Sequence, residues 1–219
     1  NETKLHLWTG DRIETGAGEF GYLVETYYRE NDGFKTIDST EAFNGSNRDT
    51  GLQNKDSMIK LSWSPDTENR QYFEFKTGYT DKDANETYLG LSSSDFAVNP
   101  NRRYAASRDD NIDTQHFRNY LRYSVDVNSQ ATFSAAAYYN AFNRNWFKLK
   151  EIKDIDSDGD GVIDSTPTVK LYQALAGIDD NKPLEVLQGT RAGQYEYRNN
   201  NRDYIAKGLQ ATLDWTIDA

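Results

Sequence analysis

Phe117-Arg118-Asn119-Tyr120-Leu121-Arg122-Tyr123-Ser124-Val125-Asp126-Val127 decides how this chain is read, because its side chains sort by parity. Phe117, Asn119, Leu121, Tyr123, Val125 and Val127 fall on one parity; Arg118, Tyr120, Arg122, Ser124 and Asp126 fall on the other. Successive side chains of a strand point to opposite faces, so one face is apolar and the other charged. The pattern recurs. Phe73, Phe75, Thr77 and Tyr79 oppose Glu74, Lys76 and Gly78, and Ile59, Leu61 and Trp63 oppose Lys60 and Ser62. Phe133, Ala135, Ala137, Tyr139 and Ala141 oppose Thr132, Ser134, Tyr138 and Asn140. Ile205, Leu209, Ala211, Leu213, Trp215 and Ile217 oppose Tyr204, Gly208, Gln210, Thr212 and Asp214, with Lys207 breaking the apolar row. With Leu5–Thr9 and Phe20–Arg29, this predicts about seven strands.

Strand length and link length narrow the architecture. Several strands approach the ~9–11 tilted residues that cross a bilayer, beyond the ~5–6 usual in soluble sheets. Short links are expected at Arg12–Gly18, Pro65–Asn69 and Asn128–Gln130, and long ones at Asn31–Asn54, Thr80–Asp113 and Lys148–Asn201. Short turns at one end and long loops at the other are the pattern of an antiparallel outer-membrane β-barrel. Trp63 and Trp215 lie where a girdle at the short-turn interface would need them. Long alternating strands also build soluble sandwiches and lectins, whose apolar face is covered by a second layer.

Composition excludes several classes. No run approaches the ~18 apolar residues of a membrane helix. Cysteine is absent, which removes disulfides and thiolate metal sites. A net charge of -10 argues against nucleic acid, which calls for a concentrated basic face. No catalytic set stands out, so an enzyme is not expected. His6 and His116 lie far apart with no carboxylate at metal-ligand spacing, and nucleophile elbows and phosphate-cradling glycine loops are missing. Asn44-Gly45-Ser46 and Asn85-Glu86-Thr87 match a glycosylation pattern by chance.

The segment NETYLGLSSSDFAVNPNRRYAAS (Asn85–Ser107) closely resembles a loop of TonB-dependent outer-membrane receptors, especially those grouped with ferric dicitrate receptors. The resemblance extends through GYLVETYYRENDGFKTID (Gly21–Asp38), AAAYYNAFNRNWFKL (Ala135–Leu149) and RNNNRDYIAKGLQATLDW (Arg198–Trp215). It implies a 22-stranded transmembrane barrel in the bacterial outer membrane, contacting lipid and lipopolysaccharide. It also implies a plug driven by the TonB–ExbB–ExbD complex, and a ferric chelate, such as a siderophore or ferric citrate, as cargo. Residues 1–219 would be part of that barrel, about a third of it, without the plug and the C-terminal strands; Thr216-Ile217-Asp218-Ala219 stops mid-pattern. A passive porin and a soluble calcium-binding adhesin or carbohydrate-binding sheet protein are the competing readings.

Two constellations are candidate sites. Asp156-Ser157-Asp158-Gly159-Asp160-Gly161-Val162-Ile163-Asp164 places oxygen ligands at positions one, three, five and nine of a calcium loop, with glycine at six. Position twelve is Pro167 rather than a bidentate Glu, and Asp154 is available to replace it. Asp154, Asp156, Asp158, Asp160 and Asp164 are thus the expected Ca2+ ligands, against the alternative of a solvated acidic loop. Arg102, Arg103, Tyr104 and Arg108 are the expected substrate contacts, since guanidinium forks suit an anionic carboxylate chelate. Their alternative role is to pair with Asp109, Asp110 and Asp113 and hold the loop together, or to pair with lipopolysaccharide phosphates. Ser92 to Asp95 is expected to cap a short helix through Val98. Arg118, Tyr120, Arg122, Glu25, Arg29, Glu74 and Lys76 would line the lumen. Arg144, Trp146 and Phe147 would join a vestibule or an outer girdle.

Overall fold

A computed structural model describes residues 1–39 and 49–217; the Asn44-Gly45-Ser46 pattern and the final Asp218-Ala219 lie outside them. The fold is all-β, with 60% of the chain in strands and 12% in helices. Seven long strands carry it: β1 (Glu2–Thr15), β2 (Gly18–Asn31), β4 (Leu52–Ser64), β5 (Gln71–Ala84), β7 (Asn111–Asn128), β8 (Ala131–Lys153) and β10 (Gln194–Trp215). They pair antiparallel with their neighbours in the order β1-β2-β4-β5-β7-β8-β10. The ladder joins successive strands only, and among the described residues β1 and β10 are edges, so the sheet is open and not a closed barrel. Three short strands, β3 (Thr36–Ile37), β6 (Arg102–Arg103) and β9 (Val169–Lys170), belong to the loops; β3 pairs with β6 in parallel.

The strands outrun the alternation that predicts them. β8 extends to 23 residues and β10 to 22, far past Ala141 at one end and well before Ile205 at the other. The reason is compositional. Asn143, Arg144 and Asn145 face Asp203, Arg202 and Asn201, so polarity stops alternating while the backbone ladder continues. The third long connection therefore narrows to the stretch between Lys153 and Gln194.

Register sorts the side chains into the two expected faces. Ile59 sits opposite Val24 and Thr77, Leu61 opposite Tyr22 and Phe75, and Leu121 opposite Phe75 and Ala137. The other face carries Lys60 beside Lys76 and Glu74 beside Arg122. The apolar face is uncovered: Leu61 is 48% exposed, Leu121 52% and Leu209 85%. At the short-turn end Phe20, Trp63, Phe73 and Tyr123 stack side by side, with ring centroids 5.7, 5.4 and 4.7 Å apart. The indole of Trp63 also donates to the Ala17 carbonyl (3.0 Å). That turn depends on Gly18, whose φ of +106° and close approach to the Ser64 carbonyl leave no room for a Cβ.

All three long connections leave from the opposite edge, and the buried core sits there. Tyr104, Leu149, Ile152, Ile155, Val186 and Leu187 form it, packed by Leu89, Leu91, Tyr195 and Tyr197. Three short helices frame it: α1 (Ser93–Val98), α2 (Leu171–Leu175) and α3 (Lys182–Gln188). α1 begins as its sequence requires, with the Ser92 hydroxyl accepting from the Asp95 backbone N–H. Pro183 lies in the first turn of α3 and Gly189, at φ +78°, ends it.

Candidate functional site

The basic loop residues are deeply engaged with the chain itself. Arg102 lies on β6 and donates from Nε to both Asp38 carboxylate oxygens (3.0 and 2.9 Å) and from Nη1 to Asp95 (2.8 Å). Its guanidinium also lies 5.1 Å from the Tyr104 ring centroid. Arg103 is 5% exposed and donates to the Asn85 carbonyl (2.7 Å), the Ser107 carbonyl (3.0 Å) and the Ser107 hydroxyl (3.2 Å). Burial holds its pKa below the usual guanidinium value. Tyr104 is buried; its hydroxyl donates to Asp95 (2.5 Å) and accepts from the Ser92 N–H (2.9 Å). Burial first, then the Asp95 hydrogen bond, raises the Tyr104 pKa. Arg108 lies 3.6 Å from Asp109.

Arg108 thus meets one of the expected carboxylates, Asp109, whereas Asp110 and Asp113 are placed elsewhere. Asp110 accepts from the Thr87 hydroxyl and from the Leu149 N–H (2.6 Å), and Asp113 lies on β7. Asp38, which local spacing did not single out, and Asp95, read only as part of a helix cap, take Arg102 instead. Asp38 is 64 residues away, and only the β3–β6 pairing brings it close.

Asp95 is the hub. Besides Arg102, Tyr104 and Ser92, it accepts from Gln188 of α3 (3.1 Å), so this carboxylate ties together segments of two long connections and, through Arg102 and Asp38, reaches the third. Burial by itself would raise its pKa, but the hydrogen bonds from Tyr104, Ser92 and Gln188 and the Arg102 charge outweigh it and hold the carboxyl below its ordinary value of 3.8. Asp38 goes the other way: burial outweighs its Arg102 pairing and raises its pKa.

The acidic loop gathers three of its five candidates. Asp156, Asp158 and Asp164 each place a carboxylate oxygen within 4.8 Å of the others; Asp154 and Asp160 are not in the group. Asp156 is 4% exposed and accepts the Gly159 and Gly161 N–H groups (2.7 and 3.0 Å), both glycines having positive φ. Asp164 accepts the Ser157 N–H (2.8 Å) and hydroxyl, which lower its pKa. Asp160 instead caps the Val162 N–H (2.7 Å). Asp154 has φ +50° at the exit from β8, and Arg191 approaches Asp156 to 4.0 Å. Three carboxylates and a tight backbone are a donor set for a hard cation such as Ca2+.

On the polar face of the sheet the charges pair across strands. His6 meets Glu25 of the neighbouring strand (2.7 Å). Arg118 donates to Asp56 (2.8 Å), Glu74 accepts from Tyr72 (2.6 Å) and Tyr120, and Lys60 approaches Glu74 to 3.9 Å. A concave region of about 380 Å³ is lined here by Glu25, Asp56, Lys76, Arg118, Tyr120 and Tyr138. Trp146 also reaches the loop assembly, edge-on to Tyr88 at 5.0 Å, whereas Phe147 stacks on Tyr197. Comparison of the chain with protein-family models, curated proteins and solved structures finds no match in any of the three.

Proposed function

We propose that this chain forms part of the wall and outer loops of a bacterial outer-membrane β-barrel, a TonB-dependent receptor that imports a ferric chelate. The observation that carries this reading is the uncovered apolar face running through all seven long strands. In water a single-layered sheet with Leu, Ile, Phe and Trp on its open side would associate or collapse. Against hydrocarbon the same face is solvated. From Ile205 to Trp215 a strand rising roughly 3.3 Å per residue covers about 33 Å. Tilted ~45°, it crosses about 23 Å, close to the ~25 Å apolar band of such barrels. The stacked aromatics at the short-turn end then form the periplasmic girdle, and the loop assembly stands outside the cell.

The TonB–ExbB–ExbD complex, a plug and a ferric siderophore or ferric citrate as cargo follow from the resemblance of the Asn85–Ser107, Gly21–Asp38, Ala135–Leu149 and Arg198–Trp215 segments to that receptor family. Because Arg102 and Arg103 are bound to internal acceptors, we assign them to holding the loops in place. Within the same reading, Asp156, Asp158 and Asp164 hold Ca2+ outside the cell and order the loop between β8 and α2.

The test is made on cells producing the intact protein. The expected result is extraction from membranes only with detergent, and uptake of ferric citrate or a siderophore that stops when TonB is deleted. Extraction without detergent would overturn the membrane assignment. Uptake indifferent to TonB would replace the receptor with a passive porin.

A further inference from the structure

The cross-strand register assembles a feature that no local motif shows. Lys4, Arg29, Asn54, Lys82, Thr114, Arg144 and Arg202 are successive partners across all seven long strands, and all lie on the polar face. One rung thus holds five cations and no carboxylate, in a chain with 35 acidic and 25 basic residues. Toward β1 the cations are neutralised from outside the rung: Lys4 and Arg29 by Glu2 (2.9 and 2.8 Å), and Lys82 by Glu86 (3.7 Å). Toward β10 they are not. Arg144 and Arg202 pair with each other in register, Lys148 and Arg198 pair likewise, and among the described residues none of the four forms an ion pair.

Aromatic groups occupy the places where carboxylates would be expected. Lys148 Nζ lies 3.9 Å from the Tyr88 ring centroid and 4.1 Å from that of Trp146, and Arg144 lies 6.0 Å from Trp146. Arg202 donates to the Tyr204 hydroxyl at 3.5 Å. Among the described residues the buried Nε of Arg144 has no hydrogen-bond partner, which leaves a donor of a half-buried guanidinium unsatisfied. Ring faces stabilise a cation without supplying an acceptor, and among the described residues neither the Arg144 nor the Lys148 side chain forms a hydrogen bond. Like charges on cross-strand partners repel, and a bound polyanion relieves that repulsion.

We propose that Arg144, Lys148, Arg198 and Arg202 form a binding site for a multiply anionic ligand bearing carboxylate or phosphate groups. Guanidinium forks from neighbouring strands receive separate anionic groups, as rings of Arg and Lys do in anion-selective pores. The proposal rests on the reading of the polar face as the lumen of the receptor, but its test does not require transport.

Intact protein in neutral detergent is titrated calorimetrically with citrate, with inorganic pyrophosphate and with sucrose. Both anions are expected to bind and sucrose is not. Affinity should fall as salt rises from about 50 to 500 mM, because the interaction is between charges. The double variant Arg144→Gln, Arg202→Gln should lose about tenfold or more in affinity; so should Lys148→Gln, Arg198→Gln, which supplies the same test if the first pair fails to assemble. Tighter citrate binding assigns the site to a polycarboxylate, and tighter pyrophosphate binding to a phosphorylated ligand. Failure of wild-type protein to bind either anion, salt-independent binding, or unchanged affinity in the variants would overturn the proposal. Lost iron uptake with anion binding intact would instead remove the receptor and leave the site.

Discussion

The sheet and the loop assembly above it are built with opposite polarity. In the sheet, Leu61 and Leu121 stand about half exposed while Glu74 on the reverse face is buried among Tyr72, Tyr120 and Lys60. In the assembly, Tyr104, Leu149 and Leu187 are at most 1% exposed, and the charges buried with them, Arg103 and Asp110 among them, are hydrogen-bonded within the chain. The assembly is organised like a small water-soluble domain, with a core that excludes water. The sheet has no core, and its backbone ladder supplies the order that packing supplies elsewhere. One chain therefore combines an uncovered apolar sheet face with a covered apolar core, and the changeover falls where β8 and β10 lose their apolar parity.

Substitutions can separate the two regimes. The largest effect is expected for Leu187→Ala, which opens a cavity in the loop core and should cost about 2–5 kcal/mol locally. Hydrogen exchange should rise in α3 and around Tyr104 while the sheet ladder stays protected; loosening of both together would mean that they are one cooperative unit. Next is Leu61→Arg on the apolar face. In a bilayer a midplane Arg there costs about 2–4 kcal/mol, read from unfolding in lipid vesicles. A change near zero would show that this face meets water, and the contrast with the assembly would be lost.

Asp95→Asn removes the charge at the hub and should cost about 1–3 kcal/mol, visible as faster proteolysis of the loops with no loss of sheet structure. The same carboxylate gives a pH dependence. Because its folded-state pKa lies below the ordinary 3.8, its contribution is fully present above that value and is lost as pH falls through the folded-state pKa. Loop protection should therefore collapse in acid in the wild type, and the variant should show a smaller acid-dependent change over that window. The smallest effect is expected from Ca2+ removal. Chelation should increase cleavage between Asp154 and Asp164 alone, and Asp156→Asn, Asp158→Asn should abolish the difference; identical cleavage with and without chelator in the wild type would dispose of the calcium site.

Much of the sheet was legible in the chain because a strand with different surroundings on its two sides must alternate. Phe117–Val127 and Phe73–Tyr79 read correctly for that reason. Over Asn143–Asn145 and the facing Asn201–Asp203 both faces turn polar, and the alternation is interrupted although the strands continue. The helix capped by Ser92 was readable from spacing, since a cap is a local device. The partners of Arg102 were not, because Asp38 arrives through a parallel pairing between two distant loops. For the acidic loop, spacing marked the stretch, but backbone direction chose Asp156, Asp158 and Asp164 and turned Asp160 toward the Val162 N–H.

The sequence by itself determined which side chains share a face, because parity is a property of each strand alone. The cation rung from Lys4 to Arg202 and the Asp95 hub were decided by tertiary structure. Each exists only once hairpin lengths set the register between strands and the loops close over one another. Those are relations between segments far apart in the chain, and no local pattern encodes them.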